Sequence, residues 1–384
     1  MEGPEWLVPR AAYVHVPFCR TKCLYCDFNT YAGKDRLIPE YVAALATDIR
    51  RGASACAGLP LRSAYFGGGT PSLLTIAQLR RLLEALRRGA GIAPDAEITL
   101  EANPGTFGPT YVEGLVQLGV NRLSLGVQSL DDETLRRLAR THNATQALAA
   151  VREARRAGIA SINLDLIYGL PWQTLAAWRD HLRRALDTEP DHVSLYALMV
   201  EEGTPLATLV SRGKWDVPDE DRVAEMYEAA LPELRAAGFT HYEVSNWARP
   251  GHESRHNLVY WRNEAYLGCG AGAHAYVNGV RSWNVRSIEE YVRRVTSGAD
   301  PTDGSETLDD DARIGETAAL ALRLPREGLD FTRFRRRFGL DPRERWRDEL
   351  RELAAAGVLR VTDERATIGE NALLVNNEIA ARFV

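Results

Sequence analysis

The residues richest in chemistry lie in "VHVPFCRTKCLYCDF", Val14 to Phe28, where Cys19, Cys23 and Cys26 fall within eight positions of a 384-residue chain. Their spacing is Cys-x3-Cys-x2-Cys. A tight loop of this kind can aim three thiolates at one cubane. A 4Fe–4S cluster is normally held by one cysteine thiolate per iron, so three cysteines leave one iron open to a small molecule. A closed zinc site needs four protein ligands, usually from two paired knuckles, and no second Cys-x2-Cys occurs. Cys56 and Cys269 stand alone and read as buried small hydrophobes.

Three thiolates need a scaffold that holds them. The first 200 residues alternate short apolar runs with amphipathic stretches. Strands are expected over 11–16 and in "SAYFGGG", "EITLEANP", "RLSLGVQS", "SINLDLIYGLP" and "HVSLYALMV". Helices fall between them, one over 39–51. Such alternation implies βαβ units and a parallel sheet. Six repeats without a dinucleotide fingerprint favour an α/β fold of the partial (β/α)6 barrel type. Chemistry in such barrels sits at the C-terminal strand ends. That rule gathers "GGGTP" (67–71), Glu101, Gln128 and Asp165 on the rim that carries the cysteine run.

The core is expected over 1–200, with 201–295 completing the barrel. There, "HYEVSNWA" reads as one short strand. "GCGAGAHAY" partly fits GxGxxA through Gly268, Gly270 and Ala273. No strand is evident before it, so it is not read as a nicotinamide site; it is expected to border the cofactor pocket. Residues 296–311 read as a polar linker. Residues 312–384 read as a mainly helical, winged-helix-like accessory domain ending in a β-hairpin. Arg333, Arg335, Arg336 and Arg337 read as a solvated helix face.

A net charge of −5 gives no broad nucleic-acid signature. No secretory leader pattern and no apolar run long enough for a membrane span is visible. Clustered cysteines without a secretion signal point to a reducing cytosol.

"CRTKCLYCDF" resembles the CxxxCxxC signature of radical S-adenosylmethionine (radical SAM) proteins, and the likeness extends along the first 200 residues. The resemblance implies a 4Fe–4S cluster on Cys19, Cys23 and Cys26, with S-adenosylmethionine on the open iron. By motif it carries cofactor contacts to Tyr13, Tyr25, Gly68, Gly69, Thr70, Glu101, Gln128, Arg140 and Asp165. Within the superfamily the chain is similar to the oxygen-independent coproporphyrinogen III oxidase group. It departs from the oxidases at Phe28, where they carry a further cysteine, and only 12 residues precede Tyr13.

"HNLVYW" resembles the HNxxYW motif of the HemW-like haem chaperones. This implies haem contact at His256, Tyr260 and Trp261, with His252 and His274 open as alternative iron ligands. No Cys-x-x-Cys-His motif for covalent c-type attachment is present. The resemblance implies haem delivery to an acceptor haem protein, respiratory and membrane-bound, from the cytoplasm or the membrane periphery. The rival readings are radical decarboxylation of coproporphyrinogen III and a non-catalytic redox-sensing module.

Overall fold

The computed structural model describes residues 5–384. Strand β1 (Ala11–Val16) leads into β2 (Phe18–Cys19), which pairs in parallel with β3 (Tyr31–Ala32) across the cysteine loop. β4 (Leu61–Gly68), β5 (Ile92–Ala102), β6 (Arg122–Gln128), β7 (Ser161–Tyr168) and β8 (His192–Ala197) follow. β1 and β4 to β8 lie side by side, all parallel, in chain order. Their connections include helices α1 (Ile38–Gly52), α2 (Ile76–Gly89), α3 (Pro109–Gln117), α4 (Asp132–Arg137), α5 (Ala144–Ala157) and α6 (Leu175–Leu186). The starts of α2 and α5 are set by capping boxes, Thr75 with Gln78 and Asn143 with Gln146. This is the six-strand partial barrel that the alternation predicts.

After α7 (Pro205–Ser211) and α8 (Glu220–Ala236), the chain extends the sheet at both ends. "HYEVSNWA" is two strands rather than one, β9 (Thr240–Glu243) and β10 (Asn246–Ala248), paired antiparallel. The Glu243 carboxylate accepts from the Ser245 N–H at 3.1 Å and fixes the reversal. Short helix α9 (Arg255–Trp261) carries "HNLVYW". β11 (Leu267–Cys269) then pairs in parallel with the outer edge of β1, so a strand does open the glycine-rich segment. A strand, β12 (His274–Val277), follows in place of the helix a dinucleotide site requires.

β12, β13 (Val280–Asn284) and β14 (Thr302–Thr307) form a separate antiparallel sheet, with α10 (Ile288–Ser297) inserted before β14. The expected linker therefore holds the end of α10 and a paired strand. β14 is a polar edge strand held by main-chain bonds, which hydropathy does not reveal. Beyond it come α11 (Asp310–Ala321), β15 (Leu329–Asp330), α12 (Phe331–Phe338), α13 (Pro342–Arg345), α14 (Arg347–Ala355), β16 (Leu359–Val361) and β17 (Arg365–Ile368). The three strands form one small sheet, and Phe334, Trp346 and Phe383 pack together beside it. Arg337 leaves the solvated face expected of its run. It stacks on Trp6 at 3.8 Å and donates to the carbonyls of Arg262 and Asn263, tying this region to the turn after α9.

Parity along the barrel strands decides where chemistry can occur. Side chains alternate between the two faces of a strand. Outward positions are apolar and buried: Val14, Val16, Phe66, Leu100, Leu123, Leu125, Leu164 and Leu195. Inward positions include Tyr65, Glu101, Arg122, Ser124, Asn163, Asp165, His192 and Ser194, and these line one cavity. The barrel is filled with polar side chains, and its apolar core lies between sheet and helices.

Gly268 sits where β11, β1 and β12 converge. A Cβ there would lie 1.8 Å from the His274 carbonyl oxygen. Gly268→Ala is expected to cost at least about 1–3 kcal/mol, as overpacked sites do, read as a lower urea midpoint. An unchanged midpoint would show that β12 yields freely.

Candidate functional site

The cysteine loop has little regular structure of its own, so its shape comes from outside contacts. At its start, Gly69 N–H donates to the Val16 carbonyl (2.9 Å) and Thr70 N–H to the Phe18 carbonyl (2.8 Å). Only glycine fits here. A Cβ on Gly69 would stand 2.6 Å from the Phe18 oxygen, and one on Gly68 would stand 2.3 Å from the His15 ring. Gly68 also has φ +111°, a region most residues avoid. In mid-loop, Leu206 N–H donates to the Leu24 carbonyl at 2.9 Å. Leu24 and Tyr25 pack there on an apolar cluster containing Leu138, Ile167 and Leu206. At the end, Asn29 donates to the Ala271 carbonyl (3.0 Å), and its own carbonyl meets His15 Nε2 (2.9 Å). The glycine-rich segment thus anchors the loop; it does not itself line the cavity.

All three cysteines are free thiols opening on a cavity of about 380 Å³. Thr70 Oγ1 donates to Cys19 Sγ (3.6 Å) and Arg140 Nη1 to Cys23 Sγ (3.3 Å). Burial pushes the Cys19 and Cys26 thiols above their ordinary value, so ionisation there requires compensating positive charge such as iron. Hydrogen bonds to sulfur are what cluster sites use to tune their iron. The donor set therefore fits an iron–sulfur cluster. Among the described residues, no three His, Cys, Asp or Glu side chains are placed to hold a single metal ion.

The same cavity is lined by Tyr25, Gly68, Gly69, Thr70, Glu101, Gln128, Arg140 and Asp165. Glu101 accepts from Tyr65 Oη (2.8 Å) and from Gly68 N–H (2.9 Å). Burial raises its carboxyl to about 7, outweighing the Tyr65 hydrogen bond that pulls the other way. Burial also raises Asp165, which is held by Asn163 Nδ2 (2.8 Å) and Ser124 Oγ (3.2 Å). Two carboxyls facing a cavity in this state favour a cationic ligand, which would ionise them. Arg140 also donates to Asn103 Oδ1 and the Gly126 carbonyl, both at 2.6 Å. Gln128 ends β6 at φ +64°, where the β6–β7 register shifts. Left-handed backbone at a non-glycine residue is the kind of strain that gathers at binding sites.

Four expected residues lie elsewhere. Tyr13 stands behind Tyr65, with ring centroids 6.2 Å apart, and does not line the cavity. His256, Tyr260 and Trp261 depart from the expected haem surface. α9 packs against the inner side of β4 and β5, and Glu97 accepts from the N–H groups of Arg255 (3.0 Å) and His256 (3.1 Å) at its first turn. His256 is buried with both nitrogens engaged, Nδ1 by Ser63 (3.0 Å) and Nε2 by Tyr260 Oη (2.8 Å). Burial lowers its pKa to about 3. Trp261 lies under Arg323, its centroid 5.4 Å from the guanidinium carbon. His252 and His274 are also absent from the cavity. Only Asn257 of the motif lines it.

Sequence reasoning missed Asn103, Arg122, Ser124, Asn163, His192 and Ser194. For all but Asn103, which follows β5, the signal was the polar residue at every second position of "RLSLGVQ", "NLDL" and "HVSL". In a strand covered on both faces, such alternation means a polar interior.

A radical SAM superfamily model matches residues 13–185, and a HemN C-terminal domain model matches 308–375. The haem chaperone HemW of Bacillus subtilis is 34% identical over 98% of this chain and 99% of its own. That of Mycobacterium tuberculosis H37Rv is 42% identical over 85% and 84%. The chain belongs to the HemW family of radical SAM proteins. Among solved structures, the Escherichia coli coproporphyrinogen III oxidase HemN, a radical SAM enzyme, matches with TM-score 0.84 and 25% identity over 98% of this chain and 90% of that one. The shared fold is the α/β partial barrel with a helical C-terminal region.

Two outcomes follow from this cavity. Glu101 binds a proton more tightly folded than unfolded, so the cofactor-free chain loses stability as pH rises from about 4.5 to about 7. Against Glu101→Gln, that loss should reach on the order of 3 kcal/mol by pH 8, measured by urea unfolding at pH 5 to 8. A wild-type-to-variant difference that does not change with pH would contradict the buried acid. Gly69→Ala should displace the cysteine loop and reduce iron incorporation severalfold on reconstitution, with the far-ultraviolet circular dichroism retained. Full iron loading would show that the clamp is dispensable.

Proposed function

We propose that the chain binds a 4Fe–4S cluster and S-adenosylmethionine and uses this scaffold to carry haem to an acceptor haem protein. Cys19, Cys23 and Cys26 would hold the cluster, with Thr70 and Arg140 steadying two of the sulfurs. Glu101 and Asp165 would meet the positive groups of S-adenosylmethionine. Gly68, Gly69, Gln128 and Tyr25 would shape its walls, with Tyr13 bracing Tyr65 from behind. When bound, the cluster supplies an open iron able to ligate the cofactor and, once reduced, to cleave it.

The observation that carries the haem-carrier reading is Phe28. It lies 63% exposed at the cavity mouth, where the oxidases place a further cysteine. The curated relatives above are named haem chaperones, which supports the same reading. We place the acceptor among respiratory, membrane-bound haem proteins approached from the cytoplasmic side. No helix among the described residues is long and apolar enough to cross a membrane. Decarboxylation of coproporphyrinogen III is the second reading, favoured by the close fold match to HemN.

Anaerobic reconstitution followed by S-adenosylmethionine and each tetrapyrrole separates the two. Stable haem binding without vinyl product from coproporphyrinogen is expected; vinyl product would overturn the carrier reading. Cys23→Ser should remove the cluster's visible absorbance with the barrel still folded, and intact absorbance would remove the cluster assignment.

A further inference from the structure

The HemW motif on α9 is committed to the barrel wall, which leaves open where a tetrapyrrole would sit. The cavity offers a constraint. Its volume of about 380 Å³ is near the low end of the roughly 300–1,000 Å³ of small-molecule sites. That suits one molecule of the size of S-adenosylmethionine. Its interior presents two carboxyls, Glu101 and Asp165, beside two guanidiniums, Arg122 and Arg140, so its charge is mixed. A large apolar disc matches the interior neither in size nor in its polar lining.

The mouth is different. Phe28 is 63% and Met199 64% exposed, and both line the cavity, one from the cysteine loop and one from the segment after β8. Large apolar side chains left open beside a pocket mark a contact surface. Arg20 and Lys22, two residues apart on the loop between Cys19 and Cys23, line the same mouth. Both are exposed, and neither makes an ion pair among the described residues. Asp27 and Glu201 also line the cavity, so Arg20 and Lys22 supply the cations of a rim that carries both signs.

We infer that haem docks across the cavity mouth, its ring against Phe28 and Met199 and its propionates toward Arg20 and Lys22. Carboxylates pair well with such cations, and the flat ring covers apolar side chains otherwise left in water. A molecule seated there would also roof whatever occupies the cavity below. This assignment rests on the haem-carrier reading and adds the place and polarity of binding.

The test is haem titration into the reconstituted full chain, followed by absorbance. Met199→Asp, which lies off the cysteine loop, should weaken binding about tenfold, as loss of a central apolar contact does. Phe28→Asp should do the same, and unchanged cluster absorbance would show that its loop is intact. Arg20→Glu with Lys22→Glu should weaken haem severalfold and leave its dimethyl ester, which lacks propionate charge, unaffected. His256→Ala should bind haem as the wild type does. Wild-type affinity in the Met199 and charge-reversal variants would overturn the mouth assignment, as would loss of binding in the His256 variant alone. Absence of haem binding by the wild-type chain would overturn the haem-carrier reading as well.

Discussion

Everything at this site depends on two main-chain hydrogen bonds where β4 ends. Gly69 and Thr70 donate to the carbonyls of Val16 and Phe18, welding the end of one barrel strand to the start of the cysteine loop. The bonds require a backbone approach that no Cβ permits at either Gly68 or Gly69. Without them the loop would be held by the β2–β3 pairing at its base, its side-chain anchors and the Leu24–Leu206 bond, with no main-chain bond tying it to the end of β4. With them, Cys19 is placed against Thr70, and the next strand contributes Glu101, whose carboxylate receives the Gly68 N–H. The glycine run is thus first a packing element; its openness to a ligand follows from the same lack of side chains.

The second organising fact is the division of labour between strand faces. Outward side chains fuse the sheet to its helices, and inward ones build a polar chamber. Buried polar groups are tolerable only when partnered, and most here are linked in chains. His192 bridges Asn163 (2.6 Å) and Tyr242 (2.8 Å), while Asn163 reaches Ser124 (2.7 Å) and Asp165 (2.8 Å). The exceptions are informative. Nε of both Arg122 and Arg140 is buried without a hydrogen-bond partner among the described residues, and both side chains border the cavity. The chamber is built from linked polar groups, and burial raises the pKa of both its carboxyls, which a cationic ligand would oppose.

Much of this was legible in the residues. The βα period fixes the order of six parallel strands, and the rule that chemistry gathers at strand ends brings Glu101, Gln128 and Asp165 to one cavity with the cysteines. The departures in placement have physical causes. "HNLVYW" is a local motif, and nothing local shows that Glu97, 159 positions before His256, would hold its first turn. Tyr13 shares the inward face, but its ring stacks on Tyr65, which stands between it and the cavity. β14 is polar and exposed, so only its hydrogen bonds to β13 reveal it. Arg337 looked like part of a solvated run, but Trp6 and two carbonyls claim it.

The central claim is that three thiolates, held by this glycine clamp, leave one iron of a cluster open to the cofactor the chamber accepts. Electron paramagnetic resonance of the reduced, reconstituted chain, with and without S-adenosylmethionine, tests it most directly. The account predicts a cluster signal that changes on addition of the cofactor and no such change in Glu101→Gln at the same cofactor concentration. A signal indifferent to S-adenosylmethionine in the wild-type chain, or a chain that takes up zinc in place of a cluster, would contradict it.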